Sequence, residues 1–315
     1  MIEVIAGPTL CGPAGAFGAL QSLRPAYTTS AGKAYVGDAL DVLARLPSSS
    51  VDLIVTSPPY ALNKKKAYGN EDASTWISWF HPFLVEMYRV LTDTGTLALN
   101  VGGAWKRGAP VRSLVHLEVA LDATRNVGFH LAQEFFLYNP ATIPGPTEWV
   151  NVRRCRVKCA VDPVYALTKT TSPDWDNRRV LKPYTAAMRK MMETGVPIGN
   201  SPSGHTKRDG WARDNGGAIP DNLLSLSNTE SMSTWVKACK TANLPVHPAR
   251  FPRGLPEFFV KLCTVEGGLV LDPFAGSNTT GWVAEGLSRR WISVEMDADY
   301  VRGSALRFSE AERAP

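Results

Sequence analysis

The 315-residue sequence predicts an α/β fold: a mostly parallel sheet with helices on both faces, interrupted by a loop-rich insertion. Three observations carry this expectation. Short apolar runs alternate with segments of helical periodicity, the pattern of strands joined by crossover helices. The runs at residues 51–55 and 269–271 are apolar almost throughout instead of alternating, as strands covered on both faces must be. From residue 170 to 244 the periodicity fades, and Pro, Gly, Ser, Asn and Asp become frequent.

The elements follow in order. Residues 1–26 are rich in Gly, Ala and Pro and lack a basic cluster before an apolar core, so they read as a flexible arm and not as a signal peptide. A strand at 33–36 ends at Gly37-Asp38, and residues 40–46 have helical spacing. The strand at 51–55 is stopped by Ser57-Pro58-Pro59, because two prolines in succession can continue neither a helix nor a ladder. A helix at 76–91 places Trp76, Phe80, Phe83, Leu84, Met87 and Leu91 on one side. A strand at 95–101, a helix at 114–127 closed by Gly128, and strands at 131–138 and 162–168 come next. After the insertion, a helix at 256–263 and a strand at 269–271 lead into Asp272-Pro273-Phe274-Ala275-Gly276. A helix at 280–287 and a strand at 291–294, ending in Glu295, complete the pattern. The sequence shows no internal repeat.

No apolar run reaches the ~20 residues of a membrane-spanning helix, so no membrane association is expected. Five scattered cysteines, Cys11, Cys155, Cys159, Cys239 and Cys263, fit the reduced thiols of a cytoplasmic protein. Cys155 and Cys159 lack a second Cys/His pair nearby, so no metal site is expected. The net charge is only +5, yet residues 150–215 hold 13 basic and 6 acidic side chains, a surplus larger than that of the whole chain. A basic segment in a near-neutral protein suggests contact with a polyanion, although a solvated face would look the same.

Two clusters carry chemistry. The first, Asp272-Pro273-Phe274-Ala275-Gly276-Ser277-Asn278-Thr279-Thr280, follows a buried strand and opens a helix, where ligands of doubly wound sheets sit. Gly276 permits a close backbone approach to a ligand. Glu295, at the end of the next strand, is placed to hold the ribose hydroxyls of a nucleoside. With one glycine where G-x-G-x-x-G has three, a dinucleotide pyrophosphate is disfavoured. The second cluster, Thr56-Ser57-Pro58-Pro59-Tyr60, also leaves a buried strand. Its prolines fix the Pro58 carbonyl, which beside the Ser57 hydroxyl can accept both hydrogens of an amino group, and Tyr60 offers a ring on which a base can stack.

Together these clusters resemble the amino-methyltransferases of DNA. Their order, Ser-Pro-Pro-Tyr first and the Phe-x-Gly cluster last with the basic insertion between, resembles the β class of that family, and within it the PvuII-type enzymes. Tyr68-Gly69-Asn70, Glu148-Trp149-Val150-Asn151, Asp214-Asn215-Gly216-Gly217 and His247-Pro248-Ala249-Arg250-Phe251-Pro252 add to the likeness, which spans roughly residues 33–308. The resemblance implies a circularly permuted, Rossmann-like S-adenosylmethionine-dependent methyltransferase fold. It implies catalysis by Ser57, Pro58, Pro59 and Tyr60 on a base flipped out of double-stranded DNA, with N4 of cytosine favoured by Ser-Pro-Pro-Tyr. Adenine N6 is the alternative. A protein-amide methyltransferase and a catalytically inactive DNA-binding protein are the rival classes.

Cofactor residues carried over are Asp38, Phe251, Pro252, Asp272, Phe274, Gly276, Ser277, Asn278, Thr279 and Glu295. Asn278 stands where the common family pattern has a second glycine. Residues 252–259 look like a helix entry over the methionine moiety, and equally like core. DNA contacts are expected from Lys64, Lys65 and Lys66 in a loop after the base pocket, and from Arg153, Arg154, Arg156 and Lys158. The expected organisation is an arm at 1–30, catalytic parts at 31–149 and 245–315, and a target-recognition region at 150–244. A cognate restriction endonuclease acting on the same site, without a stable complex, is the implied partner, and the protein is expected as a monomer or homodimer. No cysteine follows a proline, which argues against methylation at cytosine carbon 5.

Overall fold

The computed structural model describes residues 15–60, 72–106, 108–195, 199–200, 206–207, 213–227 and 233–308. Two units are distinguished, a larger one of residues 1–174 and 222–315 and a smaller one of residues 175–221.

The larger unit begins with a short helix (α1, Gly15–Ala19) and an edge strand (β1, Tyr27–Thr28). Strand β2 (Gly32–Val36) leads through the N-cap Asp38 into α2 (Ala39–Leu43). Strand β3 (Val51–Thr56) precedes the two prolines, and α3 (Trp76–Val90) runs into β4 (Leu91–Asn100). The expected helix at 114–127 is an α-helix, α4 (Val115–Asp122), followed by a π-helical turn (Ala123–Val127). Gly128 ends it at φ 104°, a left-handed cap that costs a glycine little. Strands β5 (His130–Tyr138) and β6 (Val161–Thr168) form a hairpin around a π-helical turn (Glu148–Val152).

The smaller unit contains a 3-10 turn (Asn177–Val180), helix α5 (Ala186–Thr194) and the antiparallel pair β7 (Gly199–Asn200) and β8 (Thr206–Lys207). The larger unit resumes with β9 (Leu223–Ser225), α6 (Thr234–Thr241), α7 (Gly254–Cys263), β10 (Leu269–Asp272), α8 (Thr279–Gly286), β11 (Arg290–Glu295) and α9 (Ala298–Ala305).

Among the described residues nine strands form one sheet in the order β1-β2-β11-β10-β3-β4-β6-β5-β9. From β2 to β4 every neighbouring pair is parallel. The sheet is therefore mixed at its flanks, where β6 runs antiparallel to both β4 and β5. The C-terminal strands β10 and β11 lie between β2 and β3, so the two motif-bearing strands β3 and β10 become neighbours, Val270 opposite Leu53. Being parallel, β2, β3, β10 and β11 release their loops at one edge, the usual ligand edge of such sheets.

One core cluster packs helices α2, α3 and α4 on the sheet. Helix α3 buries Trp76, Phe80, Leu84 and Met87 completely against residues such as Leu97, Leu99 and Leu271. Each such side chain contributes roughly 1.5–3 kcal/mol on leaving water. The described part of the expected N-terminal arm belongs to this core: Ala16 and Leu20 are buried, and β1 pairs with β2. Its Gly- and Ala-rich composition hides this, because the surfaces it covers lie far along the chain. Tyr27, for example, stacks at a tilt on Trp291 and Phe308 and bonds Asn278 and Ser304. The region expected at 150–244 is likewise divided, since β6, β9 and α6 are elements of the larger unit.

Candidate active site

A buried carboxylate joins the two motifs. Asp272, at the end of β10, accepts hydrogen bonds from Thr56 Oγ1 (2.7 Å), Thr280 Oγ1 (2.7 Å) and the Phe274 amide (3.1 Å). Thr56 immediately precedes Ser57, and Phe274 and Thr280 flank the turn that opens α8, so the tie fixes one motif against the other. Burial pushes the Asp272 carboxyl up to about 6, against the three hydrogen bonds that favour its ionised form. Asp272 was expected to bind cofactor. It is 1% exposed and stands behind the wall of the cavity, as does Asn278, likewise 1% exposed. Asn278 is the N-cap of α8 in the left-handed region (φ 52°), with its side chain accepting from Gly281 and donating to Tyr27 Oη. Asparagine tolerates that backbone second only to glycine, which explains how it stands at a position where glycine is common.

A cavity of about 490 Å³ lies where the parallel strands end. One end is lined by Ser57, Pro58, Pro59, Tyr60, Asn100, Cys159 and Asp162. Trp76 Nε1 donates to the Pro59 carbonyl at 2.7 Å, pinning the proline turn to the core helix α3. Ser57 Oγ donates to Tyr60 Oη (3.4 Å), Tyr60 Oη to Asn100 Oδ1 (3.0 Å), and Asn100 Nδ2 to the Pro163 carbonyl (3.2 Å). The Tyr60 ring lies so close to Gly102 that a Cβ there would come within 2.4 Å of it, so only glycine admits the ring. Asp162 is carried in by the reversed strand: because β6 is antiparallel to β4, its first residues stand beyond Asn100 at the ligand edge. Burial raises the Asp162 carboxyl above the usual range, and the nearby Arg112 guanidinium opposes the rise.

The other end is lined by Asp38, Trp79, Phe83, His247, Phe251, Pro252, Phe274, Gly276, Ser277, Thr279 and Glu295. Phe274 packs on Phe83 and Trp79 with ring centroids 5.1 and 6.1 Å apart, an apolar wall of the size of a purine. Gly276 has φ 51°, and a Cβ on it would sit 3.1 Å from the His247 ring, so both the backbone and the tight contact favour glycine. Glu295 accepts from the Gly276 amide (2.8 Å) and the Asp297 amide (3.0 Å), and Asp38 accepts from Leu40 N (2.7 Å). Val36 lies opposite Glu295 in the β2–β11 ladder, so the two acids leave adjacent strands. His247 Nδ1 donates to the Ala249 carbonyl at 2.6 Å, and burial lowers its pKa, which keeps the ring neutral. Residues 252–259 divide: Pro252 lines the cavity, while Leu255, Pro256 and Phe259 of α7 are core.

Of the expected DNA contacts, Lys64, Lys65 and Lys66 lie outside the described residues. Arg153, Arg154 and Lys158 are exposed. Arg153 sits over the Trp149 ring (5.0 Å), Arg156 sits over Trp105 (4.1 Å) and donates to the Pro110 carbonyl, and Lys158 donates to the Thr142 carbonyl (3.2 Å). Part of the basic surplus is structural. Lys169 bonds the Leu91 carbonyl (2.9 Å) over the Tyr88 ring, and Arg178 pairs with Asp176 (2.8 Å). Trp76, Trp79, Asn100, Asp162 and His247 join the site without having been marked by the sequence. Each is a single residue inside or beside an ordinary element, and only His247 lay in a stretch already noted for resemblance.

Comparison with known proteins agrees with this geometry. Residues 51–306 match the DNA methylase family of N6/N4 methyltransferases. The chain is 44% identical to the type II methyltransferase M.PvuII of Proteus hauseri over 288 residues, covering 90% of this chain and 86% of that one. The solved PvuII DNA methyltransferase, described as cytosine-N4-specific, superposes with a TM-score of 0.75 at 40% identity, covering 91% and 90% of the two chains. A Thermus thermophilus protein solved with S-adenosyl-L-methionine shares the fold, at a TM-score of 0.56 and 22% identity over 88% of this chain and 93% of that one. With its two motifs tied at one cavity and most of its length matched, this chain belongs to the DNA methylase family of N6/N4 methyltransferases.

Proposed function

We propose that the protein transfers a methyl group from S-adenosyl-L-methionine to N4 of a cytosine flipped out of duplex DNA, as the modification activity of a restriction–modification system. The observation that carries this reading is the single cavity shared by Ser57, Pro58, Pro59 and Tyr60 at one end and Phe274, Gly276 and Glu295 at the other. Cytosine is favoured by the Ser-Pro-Pro-Tyr form of the motif and by the cytosine specificity named for the PvuII enzyme. Nucleosides from DNA treated with protein and donor are expected to contain N4-methylcytosine on mass spectrometry. N6-methyladenine alone would transfer the reading to adenine, and no methylated nucleoside would remove it.

The residues present fit the donor. The Phe274, Phe83 and Trp79 wall suits an adenine ring, Glu295 suits the ribose, Asp38 suits the adenine amino group, and the bare Gly276 backbone leaves room beside them. When bound, the donor supplies an electrophilic methyl on a sulfonium centre. Ser57 and the Pro58 carbonyl hold the amino hydrogens and draw the nitrogen toward tetrahedral geometry, and Tyr60 stacks on the base. The aromatic wall excludes water. Replacing Glu295 by alanine removes a charged hydrogen-bond acceptor worth roughly 1.5–3 kcal/mol, so donor affinity should fall about 10- to 100-fold by calorimetry. An unchanged affinity would displace Glu295 from the donor site.

Duplex DNA is the partner, with Lys64, Lys65, Lys66, Arg153, Arg154, Arg156 and Lys158 on its phosphates and the region at 150–244 reading the target. The catalytic parts are residues 31–149 and 245–315 together with β6, whose Asp162 lines the cavity, and the setting is the cytoplasm of a cell whose DNA a cognate endonuclease would otherwise cut. Among the described residues no helix is long and apolar enough to cross a membrane. DNA affinity should fall steeply with salt, with a log–log slope of about −0.9 per neutralised phosphate. Replacing Arg153, Arg154 and Lys158 together by alanine should make that slope shallower by about three, and an unchanged slope would take these residues off the DNA.

A further inference from the structure

Among the described residues four carboxylates stand at or just behind this cavity, and three are committed. Asp38 caps α2, Asp272 bridges the two motifs, and Glu295 accepts two backbone amides. The Asp162 carboxylate accepts no hydrogen bond from any described residue, although it lines the cavity and is only partly exposed. Holding a carboxylate in so shielded a place without donors costs stability, and such a group is retained where its charge is used.

Its position is defined by Gly102. The point where a Cβ on Gly102 would stand is 2.4 Å from the Tyr60 ring and 3.0 Å from Asp162 Oδ1. The carboxylate therefore lies within a few ångströms of the ring on which a flipped base would stack. Among the described residues at this end, Ser57, Tyr60 and Asn100 offer neutral polar groups linked in a chain to the Pro163 carbonyl. Hydroxyls and an amide can orient an amino group, but none is basic enough to take a proton at neutral pH.

We propose that the Asp162 carboxylate faces the amino edge of the flipped base and accepts the proton that the amine sheds on methylation. The proposal rests on the function given above. The amine lone pair forms the new N–C bond while the C–S bond breaks, its electron pair staying on sulfur and discharging the sulfonium to a neutral thioether. The nitrogen then carries the methyl, two hydrogens and a positive charge. One proton passes to Asp162, and the resulting carboxylic acid returns it to solvent. Among the described residues, the ionisable groups near Asp162 are Arg112 from the segment between β4 and α4, Tyr60 from the base motif, and Cys159 from the run into β6. Burial raises the carboxyl while Arg112 opposes the rise, which brings its basicity nearer the working pH and suits a proton acceptor.

The test compares wild type with Asp162→Asn, using unmodified bacteriophage DNA and labelled donor in single-turnover reactions across pH. In wild type the rate should climb with pH as Asp162 ionises. Asp162→Asn should react about 100-fold more slowly and lose that climb, with donor and DNA affinities unchanged. Thermal unfolding gives a second readout. Because the folded-state pKa is raised, the ionised carboxylate destabilises the fold as pH rises through it. Asp162→Asn should therefore melt higher than wild type at neutral pH, with the gain vanishing below the ordinary carboxylate range. Asp162→Ser replaces the asparagine variant should that one not fold. A full rate with the same pH profile would overturn the proposal, as would a slower variant that melts lower and keeps the acid limb. Absence of methyl transfer by wild type would instead overturn the function itself.

Discussion

Replacing Ser57 and Tyr60 together by alanine is expected to abolish methyl transfer while donor binding persists. Ser57 Oγ and Tyr60 Oη are linked at 3.4 Å, and Tyr60 passes the link to Asn100 at 3.0 Å, so the double variant removes the beginning of the only hydroxyl chain among the described lining residues at the base end. It removes the acceptor that orients the amine and also the ring that holds the base. Loss of one preorganised polar group at a reacting centre typically costs about 10²–10³ in rate, and loss of a stacking partner about 1–3 kcal/mol. Together they place the expected fall at roughly 10³-fold or more in single turnover. Donor affinity should be retained because Phe274, Gly276 and Glu295 lie at the other end of the cavity. Retained activity would displace these residues from the base pocket. Equal loss of donor binding would mean that the two ends are not separate.

Asp272→Ala is expected to have the largest effect on stability. The change takes the acceptor from the buried hydroxyls of Thr56 and Thr280, leaving Thr280 only a long contact to the Val55 carbonyl (3.5 Å), and from the part-buried Phe274 amide. Each buried donor left unsatisfied costs about 1–3 kcal/mol, so the total is a large share of the ~5–15 kcal/mol that holds a domain folded. Chemical denaturation should show a markedly lower midpoint. The fraction still folded should transfer methyl slowly, since the tie between β3 and the α8 turn is gone. Asp272→Asn offers a subtler check. The folded-state carboxyl titrates at about 6, above its unfolded value of roughly 3.9, so wild type loses stability as pH rises through about 6. The asparagine variant does not titrate there, so its deficit against wild type should narrow over that range. A deficit that widens would mean that the carboxylate is stabilised by its three donors more than burial opposes it.

The methylase motifs were legible in the sequence because each is a run of adjacent residues whose chemistry is local. Ser57-Pro58-Pro59-Tyr60 announces a rigid turn after a buried strand, and Phe274 to Thr279 announces a strand-to-helix turn with a glycine at its bend. The strands and helices that carry them were legible for the same reason, since period and proline placement are read along the chain. The short β1 and α1 escaped notice because nothing nearby in sequence reveals the surfaces they cover.

What the sequence determined by itself is the α/β class, the two motifs and the family they resemble. What only the tertiary structure decided is who stands beside whom: β10 next to β3, Asp272 as a tie behind the wall, and Asp162 at the base end. Side-chain period and backbone restriction act between near neighbours and so leave a written trace. Strand order and the reversal of β6 depend on where the whole sheet finds its lowest free energy, which brings together residues that no short window of sequence contains.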